Sequence, residues 1–266
     1  MVELTPRPLL EALLRRDRAV VIAALVAVIA VSWLWIVLGA GMGMSAIEMT
    51  RMPRDMIMTP AVWSPGYAIL IFLMWSVMMV AMMLPSAAPV LLIFARASRR
   101  QDDAGRPWTP TGCFAAGYLT AWIGFSAAAA ALQGGLEASG LLSAMMVPTV
   151  PWLGAAILIA AGLWQLTPLK HACLRQCRSP IGFLTAHWRA GSVGAFRMGL
   201  QHGTYCLGCC WFLMALLFFG GVMNLWWIGG LAAYVLMEKV LPMGHWLGYG
   251  VGVALIAWGA YLLMPV

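Results

Sequence analysis

Apolar residues run through this chain in long uninterrupted blocks, with no alternation of period two and little amphipathic contrast. Seven blocks are long enough to cross a hydrocarbon layer as helices, near 19–39, 66–95, 112–133, 152–169, 194–219, 224–241 and 246–264. The pattern predicts an all-α integral membrane protein, a bundle of about seven transmembrane helices. Six is the alternative count, because the last block is glycine-rich and ends at the C-terminus. Residues 1–18 form a basic N-terminal segment and 19–266 a single transmembrane domain, with an outer loop at 40–65 and an inner loop at 170–193. The first block is about 20 residues, longer than the h-region of roughly 7–15 in a signal peptide, so a retained helix is expected.

Composition agrees: 63% of the 266 residues are hydrophobic and 9% charged, far from a soluble domain. The sixteen basic residues orient the bundle. Arg7, Arg15, Arg16 and Arg18 precede the first block, and Arg96, Arg99, Arg100 and Arg106 follow the second. Lys170, Arg175, Arg178, Arg189 and Arg197 follow the fourth, and Lys239 ends the sixth. Those fourteen fall on one side, against Arg51 and Arg54 on the other. The positive-inside rule then makes the N-terminus cytoplasmic. The net charge of +7 needs no nucleic-acid partner; the lipid bilayer accounts for it. The excess of arginine over lysine points to a GC-rich bacterial genome, and the apolar blocks then to a multi-pass protein of a bacterial inner (plasma) membrane.

Sulfur is unevenly placed. Eleven of the twenty methionines lie between Met42 and Met83. The outer loop carries Met42, Met44, Met49, Met52, Met56 and Met58, many for a short loop to use in packing. Thioether is a soft, neutral donor that needs no deprotonation, which suits capture of Cu(I). An amphipathic loop dipping into the interface is the competing account. In the second block Met74, Met78 and Met82 recur every four residues and form one helical stripe, with Met79 and Met83 on an adjacent one. Pro85 and Pro89 follow, where a kink is expected. Packing accounts for such a stripe as well as metal relay does.

The fifth block is more specific. Met198, His202, Cys206, Cys209 and Cys210 fall within an arc of roughly 120° on a helix. Intramembrane ionisable groups mark sites or pathways. Two chemistries remain open for this stripe: metal ligation, and disulfide exchange through Cys206-x-x-Cys209. Glu238, the acidic residue inside the sixth block, is placed to accept a proton or pair with His202, or else to snorkel with Lys239 at the interface. In the inner loop, Pro168 would open a short helix that sets Cys173 and Cys177 one turn apart, near His171. That arrangement is a cytoplasmic docking point or simple interfacial packing; Cys113 reads as structural.

Three stretches, MWSVMMVAMMLPSAAP at 74–89, WQLTPLKHACLRQCRSP at 164–180 and TYCLGCCWFLM at 204–214, resemble a bacterial family of predicted metal-binding integral membrane proteins. It is the domain of unknown function 2182, whose members are sometimes labelled copper chaperones. The resemblance runs from residue 52 to residue 241 and implies metal handling.

The expected function is copper(I) handling: capture on the outer loop, relay along the second helix, and holding at the His/Cys cluster. Delivery would be to a periplasmic copper protein or membrane cuproenzyme, or across the bilayer. Zinc, or no metal, remains compatible. No G-x-x-x-x-G-K-[ST] motif for ATP is present, and no catalytic residues stand out. The rivals are a membrane thiol-disulfide oxidoreductase using Cys206 and Cys209, and a non-catalytic subunit or assembly factor of a larger membrane complex.

Overall fold

The computed structural model describes residues 7–52, 62–101, 108–143 and 145–264. Among them the regular structure is helical throughout: α1 (Arg7–Val37), α2 (Ala46–Arg51), α3 (Pro65–Gln101), α4 (Trp108–Ala138) and α5 (Pro151–Leu166) in the first part. The remainder is α6 (Pro168–Arg178), α7 (Pro180–His187), α8 (Gly191–Gly220), α9 (Leu225–Val240) and α10 (Gly244–Leu262). Local sequence sets the breaks. Pro151, Pro168 and Pro180 each open a helix at its first turn, where proline's missing N–H is not needed. Asn224 caps α9 through its Oδ1, which accepts from the Trp226 and Trp227 amides. Gly221, at φ +94°, ends α8 in a conformation that side chains resist.

Each of the seven expected blocks coincides with a helix. Four stretches are long and apolar enough to cross a membrane: Arg18–Val37, Pro65–Arg99, Thr109–Ala138 and Gly191–Gly220. A fifth results if α5 and α6, bent by 66° across Thr167, form one broken span. The shortfall from seven has a physical basis. α5 and α9 are 16 residues each, about 24 Å long against a hydrocarbon layer of about 30 Å. In α10, five glycines and His245 dilute the apolar character of 19 residues. The prolines at 85 and 89 do not interrupt α3. Just ahead of Pro85, the Met83 carbonyl accepts from the Ser86 and Tyr118 hydroxyls at 2.8 and 3.2 Å.

α8 is the centre of the bundle, with 61% of its apolar window buried, whereas α1 is peripheral at 17%. The tightest pairing is α4 against α8, and glycine makes it possible. A Cβ added to Gly199 would stand 1.9 Å from the Phe114 carbonyl oxygen, and one on Gly117 2.0 Å from that of Phe196. The two backbones therefore touch, as small residues allow in membrane bundles. α5 and α10 repeat the device, with Gly162 facing the Gly252 carbonyl at 2.6 Å on the same construction.

Replacing Gly199 by alanine should separate α4 from α8 at a cost of about 1–3 kcal/mol, the usual penalty of overpacking. Thermal unfolding in detergent reads this as a lower midpoint than wild type. Gly124→Ala, on the same α4 where an added Cβ meets nothing within 4 Å, should leave the midpoint unchanged or raise it.

Candidate metal-handling site

All five residues of the α8 stripe are buried, and each has a distinct local fate. The Met198 thioether accepts from the Arg189 amide at 3.2 Å and so caps the chain entering α8. His202 packs among the rings of Phe114, Tyr118 and Phe183, with centroids 6.2, 5.9 and 4.9 Å away. Its Nδ1 has no hydrogen-bond partner although the residue is only 3% exposed. An orphaned imidazole nitrogen at that depth is costly unless something else fills its lone pair or takes its proton. The Cys209 and Cys210 thiols both donate back to the Cys206 carbonyl, at 3.1 and 2.9 Å. The expected single cluster of His202 with three thiols is thus not closed. Two of the three sulfurs turn onto their own helix, and among the described residues no group of three or more His, Cys, Asp or Glu is arranged to hold a metal ion.

The inner-loop cysteines, read from the sequence as a docking point or as interfacial packing, lie beside the α8 thiols. α6 begins at Pro168 as the sequence suggests, with the Thr167 hydroxyl accepting from the Lys170 amide. Its packing against α8 lays Cys173 over Gly208, where an added Cβ would come within 2.8 Å of the Cys173 Sγ. Cys177 reaches hydrogen-bonding range of both Cys206 and Cys209. Five of the six cysteines therefore gather at the α6–α8 interface, all as free thiols. The missing Cβ of Gly208 is the one sequence signal that could have placed them there. His171 departs from the group; its ring lies 4.9 Å from that of Tyr249 on α10.

Two buried lysines organise the surroundings. Lys239 Nζ donates to the Cys206 Sγ at 3.0 Å and to the Ser86 hydroxyl at 2.9 Å, while the Tyr118 hydroxyl lies 3.1 Å from the same sulfur. Cys206 is thus the polar hub of α3, α4, α8 and α9. Glu238 neither meets His202 nor snorkels with Lys239. It is 1% exposed and forms an ion pair with Lys170, whose ammonium also binds the Gln165 carbonyl oxygen. Tyr234 closes this group, donating to Glu238 at 3.4 Å and accepting from Gln165 at 2.6 Å. Adjacent residues on a helix point about 100° apart, so Glu238 and Lys239 serve different partners.

The methionines divide into two regions. Met74, Met78, Met79, Met82 and Met83 are all buried along α3. Met83, from the second stripe, makes the sulfur contact with the thiols, its Sδ lying 4.0 Å from the Cys210 Sγ. Met78 and Met82, the expected ligands at that depth, are packed in the same core. Of the outer-loop residues, Met42, Met44, Met49 and Met52 share one cavity, which Met145, Met146 and Met223 also line. Met56 and Met58 lie outside the described residues.

Apolar spans enclosing thioethers, thiols and two lysines define an integral membrane protein with a sulfur-rich interior. The sequence profile of the PpoB2 copper chaperone family matches residues 72–262, which covers α3 to the end of α10. The chain belongs to that family, and its function is copper-related. No curated protein and no solved structure matches it at a significant level.

The Lys170–Glu238 pair should be a point of fragility. Lys170→Met leaves the carboxylate buried without its cation and should cost about 3–5 kcal/mol. Lys170→Met combined with Glu238→Gln should recover most of that loss, since no uncompensated charge remains. Chemical or thermal unfolding of the three variants in one detergent gives the comparison.

Proposed function

We propose that this protein binds copper(I) within the membrane and passes it to a copper-requiring partner, with the methionine-bearing end receiving the ion and the α6–α8 thiols holding it. The observation that carries the proposal is the contact between Met83 Sδ and Cys210 Sγ at 4.0 Å, which joins the buried methionines of α3 to the thiols. Thioether and thiolate are the donors that favour Cu(I) over harder ions. His202, with its unpartnered Nδ1 one helical turn from Cys206, supplies a nitrogen donor beside them. The family assignment points to the same cargo.

The Cys209 and Cys210 thiols both donate to the Cys206 carbonyl, so coordinating an ion requires them to rotate off that oxygen. Weak, exchangeable binding suits a carrier that has to release its cargo. The positive-inside rule supports an orientation with the N-terminus and the α6–α7 segment cytoplasmic and the α1–α2 segment outside. The ion would then travel from thioethers facing an oxidising compartment to thiols near a reducing one.

Copper loading of the purified protein under anaerobic conditions, with a chromogenic Cu(I) chelator as competitor, tests the proposal. Wild type should retain Cu(I) with sulfur-dominated scattering at the copper edge, and Cys206→Ser/Cys210→Ser should lose the thiol-bound fraction by at least tenfold in affinity. The proposal fails if wild type holds no copper, or if Cys206 and Cys209 cycle as a disulfide with a quinone instead.

A further inference from the structure

We propose that Met145, Met146 and Met223 complete, with the four described outer-loop methionines, an all-thioether site for a soft monovalent cation, Cu(I) or Ag(I). It rests on the copper-handling function above and adds an entry site with ligands from segments far apart in sequence. The cavity is about 110 Å³ and collects sulfur from three places: the α1–α2 connection with α2, the α4–α5 connection, and the α8–α9 turn. Methionine used as filler closes space. Here seven methionines line a space several times the minimum that one water needs.

The supporting backbone is held for the purpose from each side. Met146 is only 3% exposed and sits at φ +56°, a left-handed conformation uncommon outside glycine and strained enough to need support. The support is a tight turn: the Met146 amide donates to the Ser143 carbonyl at 2.8 Å, and the Ser143 amide to the Val147 carbonyl at 2.9 Å. α2, which carries Met49, is fixed by a capping box between Ser45 and Glu48. It is also tied to the start of α9, where the Thr50 hydroxyl accepts from the Leu225 amide at 2.9 Å. Met223 lies in the turn between α8 and α9, two residues past Gly221 with its positive φ.

The donor set decides the ligand. Among the described residues no carboxylate, imidazole or thiol lines the cavity; beside the methionines it offers Asn224, Val147 and the Gly220–Gly221 segment. Calcium, magnesium and manganese need anionic or multiple oxygen donors, and zinc takes thiolate, imidazole or carboxylate. A neutral sulfur shell leaves a soft ion of single charge as the cation it suits. Thioethers carry no proton to lose, so capture needs no base.

Silver serves as the probe, titrated into the full chain in detergent and read by calorimetry with metal analysis. Four proteins are compared: wild type, Met145→Leu/Met146→Leu/Met223→Leu, Cys206→Ser/Cys210→Ser, and the combination. Leucine conserves volume, so the fold should survive; Met145→Leu/Met223→Leu, which spares the strained Met146, serves if the triple variant does not purify. The chamber variants should lose one equivalent of Ag(I), or at least tenfold in its affinity, in both the wild-type and the thiol-depleted backgrounds. Equal silver binding with and without the chamber thioethers in the thiol-depleted background overturns the site. Loss confined to the cysteine variants overturns it as well. Unchanged binding in Cys206→Ser/Cys210→Ser, with loss in the chamber variants, removes the thiols from the proposed route and leaves this site standing.

Discussion

The contact of two bare backbones, α4 on α8, is the constraint from which the site follows. Gly117 on one helix and Gly199 and Gly203 on the other let carbonyls stand where side chains would otherwise be. Only at that separation can Tyr118 reach the Cys206 sulfur at 3.1 Å and stack beside His202. Only then does the same hydroxyl reach on to the Met83 carbonyl of α3. In lipid there is no water-driven force between helices, so close van der Waals contact and a few buried hydrogen bonds set their arrangement. The chemistry here is thus a by-product of packing: the residues that bring the helices together also fix the donors around Cys206.

Buried charge imposes the second rule. Lys170 is satisfied by Glu238 and Gln165, which ties α6 to α5 and α9. Among the described residues Lys239 has no such carboxylate partner; the Cys206 sulfur and the Ser86 hydroxyl accept its hydrogen bonds. The two lysines therefore differ in kind. One closes a charge-neutral pair that anchors the bent α5–α6 segment, while the other sits against the proposed ligand set. Placing α6 correctly matters to the site because α6 delivers Cys173 and Cys177.

Helical periodicity made the α8 stripe and the α3 methionines legible, and every long apolar block became a helix. The choice between the two methionine stripes was not legible. α3 is apolar nearly all round, so no polar face marks which side meets α8, and the sequence did not single out Met83, whose Sδ lies 4.0 Å from the Cys210 Sγ. Met145 and Met146 escaped notice for a different reason. They lie in an irregular connection about 100 residues from Met42, and only tertiary folding brings the two together. Glu238-Lys239 resembled an interfacial pair because adjacent opposite charges usually are one. Their location in a 16-residue helix, with α10 packed on one side and α3 on the other, turned them into two separate interior contacts.

The order of donors along the molecule has an energetic logic under the proposed route. Neutral thioethers coordinate a cation without cancelling its charge, so an ion among the α3 methionines remains expensive in an apolar interior. A cysteine thiol that gives up its proton to solvent as it takes the ion becomes a thiolate and cancels that charge, which favours movement from methionine to cysteine. From Met74 to Met83 the helix rises about 13.5 Å, and the four-residue repeat spaces successive thioethers by about 6 Å. Flexible thioether side chains would have to swing toward one another for the ion to pass between successive sulfurs. Lys239 then opposes too tight a hold. Its ammonium, with Nζ 3.0 Å from the Cys206 Sγ, repels a cation held beside that sulfur and so favours release at the point where a carrier must let go.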